Sequence, residues 1–216
     1  MNRTLKKTGI IALATAMVAL VILGNVKRSN STLKDDTKAL IDYCGETALI
    51  TESTIARHIQ ETMPWVYTEQ IKNIKTDEIQ EQLSQIPYIA QNEVSISMGG
   101  KLTIKAVQRN PVVRIINRDA SYYLDSTGYK IPLSSEGTSN IIIGNGEIQT
   151  KEDLKKIVTL ATFIYNNSDY RLLFDQIHIN KKDELTLVPK MGHHIVVVGE
   201  PCELEKKLEN LMTFYK

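Results

Sequence analysis

The chain has 216 residues, enough for one ordinary core or two small ones, and 42% of them are apolar. Its 26 Lys and Arg nearly cancel 25 Asp and Glu, and setting aside Arg3, Lys6 and Lys7 leaves 23 basic groups against 25 acidic. That balance excludes the basic field that draws nucleic acid. The N-terminus is the first patterned segment. From Thr8 to Val26 no residue is charged, and Ile10, Leu13, Met17, Val18, Leu20, Val21, Ile22 and Leu23 put apolar surface on every side of a helix. A bilayer core needs roughly 17–25 such residues. A cleaved secretory signal competes with a retained anchor, but Gly24-Asn25-Val26-Lys27 offers no small-x-small cleavage pair, so the expectation is an anchor over 8–26. A short tail, 1–7, with Arg3, Lys6, Lys7 and the free amino end places the N-terminus in the cytoplasm and the body outside.

Residues 27–37 are polar and read as a juxtamembrane linker. Ala39–Cys44 is an expected strand, Thr51 an expected cap for a helix carrying Ile55 and Ile59, and Thr76-Asp77-Glu78 the acidic first turn of a second helix that Pro87 stops. Val94, Ile96 and Met98 alternate with serines, Gly99-Gly100 makes a turn, and Leu102, Ile104 and Ala106 alternate again, which predicts a hairpin. Strand, helix, helix, hairpin is a compact α+β unit over 38–109.

From Asn110 to Lys216 the pattern is mainly β. Val112–Ile116, Tyr122–Leu124, Tyr129–Leu133 and Ile141–Ile143 predict short strands, with a turn at Asp125-Ser126-Thr127-Gly128. Thr150 and Asp153 form a capping-box pattern ahead of a helix that Asn166-Asn167 ends. Phe174–Ile179, Glu184–Val188 and His194–Val198 predict a three-strand meander, and Pro201 opens a last helix bearing Leu204, Leu208 and Leu211.

Candidate chemistry is sparse. The pair His193-His194 suggests a metal, but neighbours on a strand point to opposite faces, and one half-buried and one solvated histidine is the competing reading. Gly144-Asn145-Gly146 lacks the Lys of a P-loop and the third Gly of a dinucleotide fingerprint, so it reads as a turn. Trp65 and Tyr67 form either a binding patch or part of the core, with burial expected. Cys44 and Cys202 could pair in an oxidising compartment, although two separate buried thiols are expected. No cofactor, metal or small-molecule substrate is expected.

Four stretches, in order, resemble the FtsQ/DivIB family of bacterial cell-division scaffolds. Ile86-Pro87-Tyr88-Ile89-Ala90 resembles the family's "P-[YW]-[VI]" helix end, and Leu102, Ile104, Val107, Gln108, Arg109, Pro111 and Val112 resemble its "L-x-I-x-V-x-E-R-x-P-[VI]" junction. Tyr123-Leu124-Asp125 with Gly128 resembles its "D-x-x-G" turn, and Ile195, Val197, Gly199, Lys207, Leu208 and Leu211 its closing strand and helix. The resemblance implies an α+β fold: a transmembrane helix, a POTRA-like domain over 38–109, and a β-rich domain with two helices over 110–216. It also implies a non-enzymatic scaffold of the inner membrane at the division septum, single-pass and type II, binding bitopic partners of the FtsB/FtsL type and other divisome proteins. Gln108 stands where the family usually has Glu, a change expected to matter little to the fold. The family's final strand, which carries much of the FtsB/FtsL contact, has no counterpart after Tyr215, which would leave a neighbouring strand open. The partner-binding edge is therefore expected at His194, Ile195, Val196, Val197 and Val198, an uncharged run that a central strand buried on both faces would equally explain. A tethered periplasmic hydrolase or metal enzyme, and a POTRA-bearing export component, are the alternatives.

Overall fold

A computed structural model describes residues 2–33, 37–45, 47–97, 99–118 and 120–215, with side chains from Leu13 onward. The expected tail 1–7, residues 34–36 of the expected linker and Met98 of the expected hairpin lie outside the described residues or side chains. The chain separates into two units: Met1–Leu40, Glu52–Leu83 and Asn92–Ala106 form one, and Ile41–Thr51, Ser84–Gln91 and Val107–Lys216 the other.

The first unit opens on α1 (Asn2–Ser29), then β1 (Lys38–Asp42), α2 (Glu52–Thr62), a single turn α3 (Trp65–Thr68), α4 (Thr76–Ser84), β2 (Ile89–Ile96) and β3 (Leu102–Gln108). The strands form a sheet in the order β1-β3-β2. Helical spacing puts Ile55 and Ile59 of α2 and Ile79 and Leu83 of α4 fully inside, and the alternation of β3 buries Leu102, Ile104 and Ala106. Burial of Trp65 does not hold. A single turn presents one side chain inward, and here it is Val66, with no exposed surface, while Trp65 stays 37% exposed and Tyr67 bonds Thr37 through its hydroxyl. Among the described residues, no helix is long and apolar enough to cross a membrane; the side chains of the first part of the apolar run, up to residue 12, are not among those described.

The second unit is built on a seven-stranded mixed sheet with the order β10-β9-β8-β7-β4-β5-β6. Its strands are β4 (Pro111–Ile116), β5 (Ser121–Asp125), β6 (Lys130–Pro132), β7 (Ile143–Gly146), β8 (Phe174–Ile179), β9 (Leu185–Pro189) and β10 (Val196–Gly199), and its helices α5 (Lys151–Tyr165), α6 (Ser168–Leu173) and α7 (Leu204–Tyr215). The domain thus has three helices, not two. β8, β9 and β10 form the expected antiparallel meander, whereas β7 pairs parallel with both β4 and β8. A parallel neighbour needs a crossover, and α5 with α6 supplies it between β7 and β8. Ile157, Leu160, Ala161 and Ile164 on one face of α5 bury against Val113, Ile115, Ile177 and Leu187 of the sheet. Each such aliphatic side chain removed from water contributes about 1.5–3 kcal/mol.

Gly144-Asn145-Gly146 is not a turn. It lies in β7 at the sheet's centre, because a Cβ on Gly144 would stand 2.8 Å from Ile115 Cδ1 and 3.0 Å from Ile157 Cγ2, so only glycine lets α5 come this close. The aspartate turn, in contrast, is as expected: Asp125 Oδ1 accepts from Thr127 N (2.9 Å), Thr127 Oγ1 (2.6 Å) and Tyr129 N (2.9 Å), and Gly128 sits at φ +81°. Asp125 Oδ2 takes Arg109 Nη1 at 3.1 Å, with the Arg109 guanidinium 3.7 Å above the Tyr129 ring.

Candidate partner-binding edge

β10 is the terminal strand of its sheet, paired on one side only, with β9. Of the run expected as an edge, His194 and Ile195 precede the strand, which begins at Val196. Side chains then alternate across the pleat. Val196 and Val198 turn into the core beneath the helices, Val198 to 7% exposure, while Ile195 and Val197 stand out at 64% and 67%. One apolar row thus anchors the strand and the other faces outward. Phe214, 83% exposed at the end of α7, joins that surface through Tyr215, whose ring lies 5.5 Å from that of His194 and whose hydroxyl meets His194 Nε2. Burial pushes the Tyr215 hydroxyl pKa up.

The far end of the edge is closed. The register slips between Val197 and Gly199, leaving Val198 as an extra residue, and Gly199 takes φ +69°, which glycine adopts without strain. Lys207 of α7 reaches back so that its Nζ donates to Val198 O (3.0 Å) and Glu200 O (2.8 Å). Next to it, Lys156 of α5, nearly enclosed, donates to Asp183 Oδ2 (2.6 Å) and Glu200 Oε1 (2.8 Å), and these two bonds, Asp183's first, hold its ammonium pKa far above the usual lysine range. An incoming chain would find free ladder positions up to Val197 and a lysine beyond. The opposite edge is blunter: β6 has three residues, one of them Pro132 without an N–H, and Lys130 folds over the Tyr122 ring at 4.1 Å.

His193 and His194 are both exposed and lie before β10, so the opposite-face argument does not apply to them. Among the described residues no group of His, Cys, Asp and Glu could hold a metal ion. Cys44 and Cys202 form no disulfide and, against expectation, are exposed, each lying in a bend. A cavity of about 90 Å³ opens at the N-terminal ends of β4 and β8, among Asn110, Pro111, Tyr165, Phe174, Asp175 and Lys190. Among the described residues neither a histidine nor a cysteine lines it. Sequence reasoning found β10 from its uncharged run but missed Lys207 as its cap, since a lysine at helical spacing reads as a solvated face.

Residues 110–216, from the start of β4 through β10 and α7, match the family described as FtsQ/DivIB, C-terminal related. Through this domain the chain belongs to the FtsQ/DivIB-related proteins. The relation ties it to bacterial cell division and to the protein assemblies that carry division out, in a family of scaffolds rather than enzymes. No curated protein matches the chain. Within the FtsQ/DivIB-related domain β10 is an edge strand with an outward apolar row, and the Asp125 turn is joined to Arg109 of the junction motif by a part-buried ion pair.

Proposed function

We propose that this FtsQ/DivIB-related chain is a non-enzymatic divisome scaffold of the inner membrane, anchored by 8–26 with its N-terminus in the cytoplasm. Its periplasmic body comprises a POTRA-like domain over 38–109 and the β domain over 110–216. It recruits bitopic partners of the FtsB/FtsL type to the septum by adding a strand of the partner to β10, and so supports septal cell-wall synthesis. The observation that carries the reading is β10 itself: a terminal strand whose outward Val197, with Ile195 just before the strand, is apolar and exposed, a template for backbone pairing with a second chain. The anchor is supported by α1, a helix of 28 residues whose described apolar side chains, Leu13, Met17, Val18, Leu20, Val21, Ile22 and Leu23, are all exposed.

Val197→Pro removes a backbone donor and an outward side chain from β10 while leaving the inward valines in place. We expect it to abolish pull-down of the chain's own FtsB/FtsL-type partner while the melting curve shows a folded protein. A folded variant that still binds overturns the docking edge. N-terminal sequencing of the mature protein tests the anchor, and a start at or beyond Asn25 overturns it.

A further inference from the structure

Residues 28–32, within the segment read as a juxtamembrane linker, are bonded into the first unit. Arg28 Nη2 donates to Ser97 O (2.9 Å), Ile71 N to Ser31 O (2.9 Å), and Lys72 Nζ to Asn30 Oδ1 (2.9 Å), while Thr32 forms an antiparallel bridge with Gln70. These contacts fix a depth. Gly24, Lys27 and Arg28 line one crevice with Gly99 and Gly100 of the hairpin tip, and Asn25 and Val26 line another with Ile71. At 1.5 Å per residue the run 8–26 extends about 28 Å, close to the ~30 Å of a hydrocarbon core. If α1 spans, the hairpin tip and the turn at 71–73 therefore lie level with the headgroups.

The chemistry of that level is cationic. Lys27, Arg28 and Lys72 lie there and Lys101 stands at the hairpin tip, while Arg28 Nε is buried and meets no acceptor among the described residues. One anion stands among these cations: Glu69 accepts from Asn73 Nδ2 (2.7 Å) and Gln70 N (3.0 Å), and these bonds, Asn73's first, hold its carboxyl pKa below the usual range and keep it ionised. We propose that this face of the first unit docks on anionic phospholipid headgroups of the periplasmic leaflet, so that the unit sits on the membrane instead of hanging from a tether. The inference rests on the anchor reading. Each basic group held against an anionic surface multiplies affinity about fivefold, and salt screens it.

The test uses the full chain in nanodiscs of phosphatidylcholine alone, or of phosphatidylcholine with phosphatidylglycerol, read by amide hydrogen exchange. Residues 69–75 and 99–101 should exchange severalfold more slowly in the anionic discs. The double variant Lys27→Glu, Lys72→Glu should return them to the neutral-disc rate, whereas Lys155→Glu, with the same kind of charge change on α5, should not. Equal exchange in the two discs with the chain incorporated overturns the docking and leaves the anchor standing. A chain that fails to enter either disc overturns the anchor and the docking with it.

Discussion

Gln108 is buried to 1% exposure and joins three backbone groups: its Oε1 accepts from Leu49 N (2.6 Å) and Ile50 N (3.3 Å), and its Nε2 donates to Thr47 O (2.9 Å). Gln108 thus makes a bond that an ionised Glu could not, because a carboxylate cannot donate and would face the Thr47 carbonyl without a proton. We expect Gln108→Glu to cost about 1–3 kcal/mol at neutral pH by chemical denaturation. Burial beside a carbonyl raises the folded-state pKa of the new carboxyl, so the loss should be absent at pH values below the unfolded glutamate pKa and grow as pH rises through the folded one. A loss independent of pH would refute the charge argument. At Gly144, the methyl of Ala would press on Ile115, Ile157 and Val113, and overpacking of this kind costs about 1–3 kcal/mol; a lower denaturation midpoint at unchanged slope is the expected signature. Neither role was legible in the sequence. A buried Gln looks like a surface one when the backbone it serves lies some sixty residues away, and a glycine excluded by a crossing helix looks like a turn.

Elements governed by local rules were readable, and those governed by distant packing were not. Thr150 and Asp153 show the first case: Thr150 Oγ1 accepts from Asp153 N (3.2 Å) and Asp153 Oδ2 from Gln149 N (2.8 Å) and Thr150 N (2.7 Å), a complete capping box at the start of α5. The backbone bond from Gln149, then that from Thr150, hold the Asp153 carboxyl below the usual carboxylate range. A lowered folded-state pKa means stability that is present above the unfolded carboxylate pKa and lost as pH falls through the folded one. Asp153→Asn should therefore destabilise by about 1 kcal/mol at neutral pH, with the difference from wild type shrinking in acid. The six-residue α6 was missed because Asn166-Asn167 reads as a helix end; in fact Asn166 closes α5 and the Asn167 side chain opens α6, accepting from Asp169 N (3.0 Å) and Tyr170 N (3.2 Å). The position of β10 at the edge was argued from its uncharged run and from the family's final strand having no counterpart, since the run of valines alone fits a central strand equally well. What the sequence could not supply was the end of that edge. We expect Lys207→Met, which frees the carbonyls of Val198 and Glu200, to lower Tm while leaving the alternation of Val196 and Val198 intact.

For the whole molecule, the two exposed thiols offer a reading of sidedness. Cys44 and Cys202 both belong to the second unit, and neither is paired. In spheroplasts a membrane-impermeant maleimide should modify both if the body is periplasmic, and the Cys44→Ser, Cys202→Ser variant should take up none. Modification that requires lysis would place the body on the cytoplasmic side and overturn the proposed topology. Membrane span, cytoplasmic tail and periplasmic body were all argued from one uncharged stretch and its flanks, because hydropathy is a property of local sequence.

The unequal edges of the seven-stranded sheet also set a valence. A sheet open at both ends can pass its pairing from copy to copy and grow without limit, as fibres do. Here one end is a three-residue strand closed by Pro132 and Lys130, and only β10 at the other end offers a ladder. If partners dock as proposed, this sheet is monovalent: it can receive one strand and then is full. On that proposal the number of partners held on this sheet follows the number of copies of the scaffold, and the sheet cannot pass its pairing on from copy to copy.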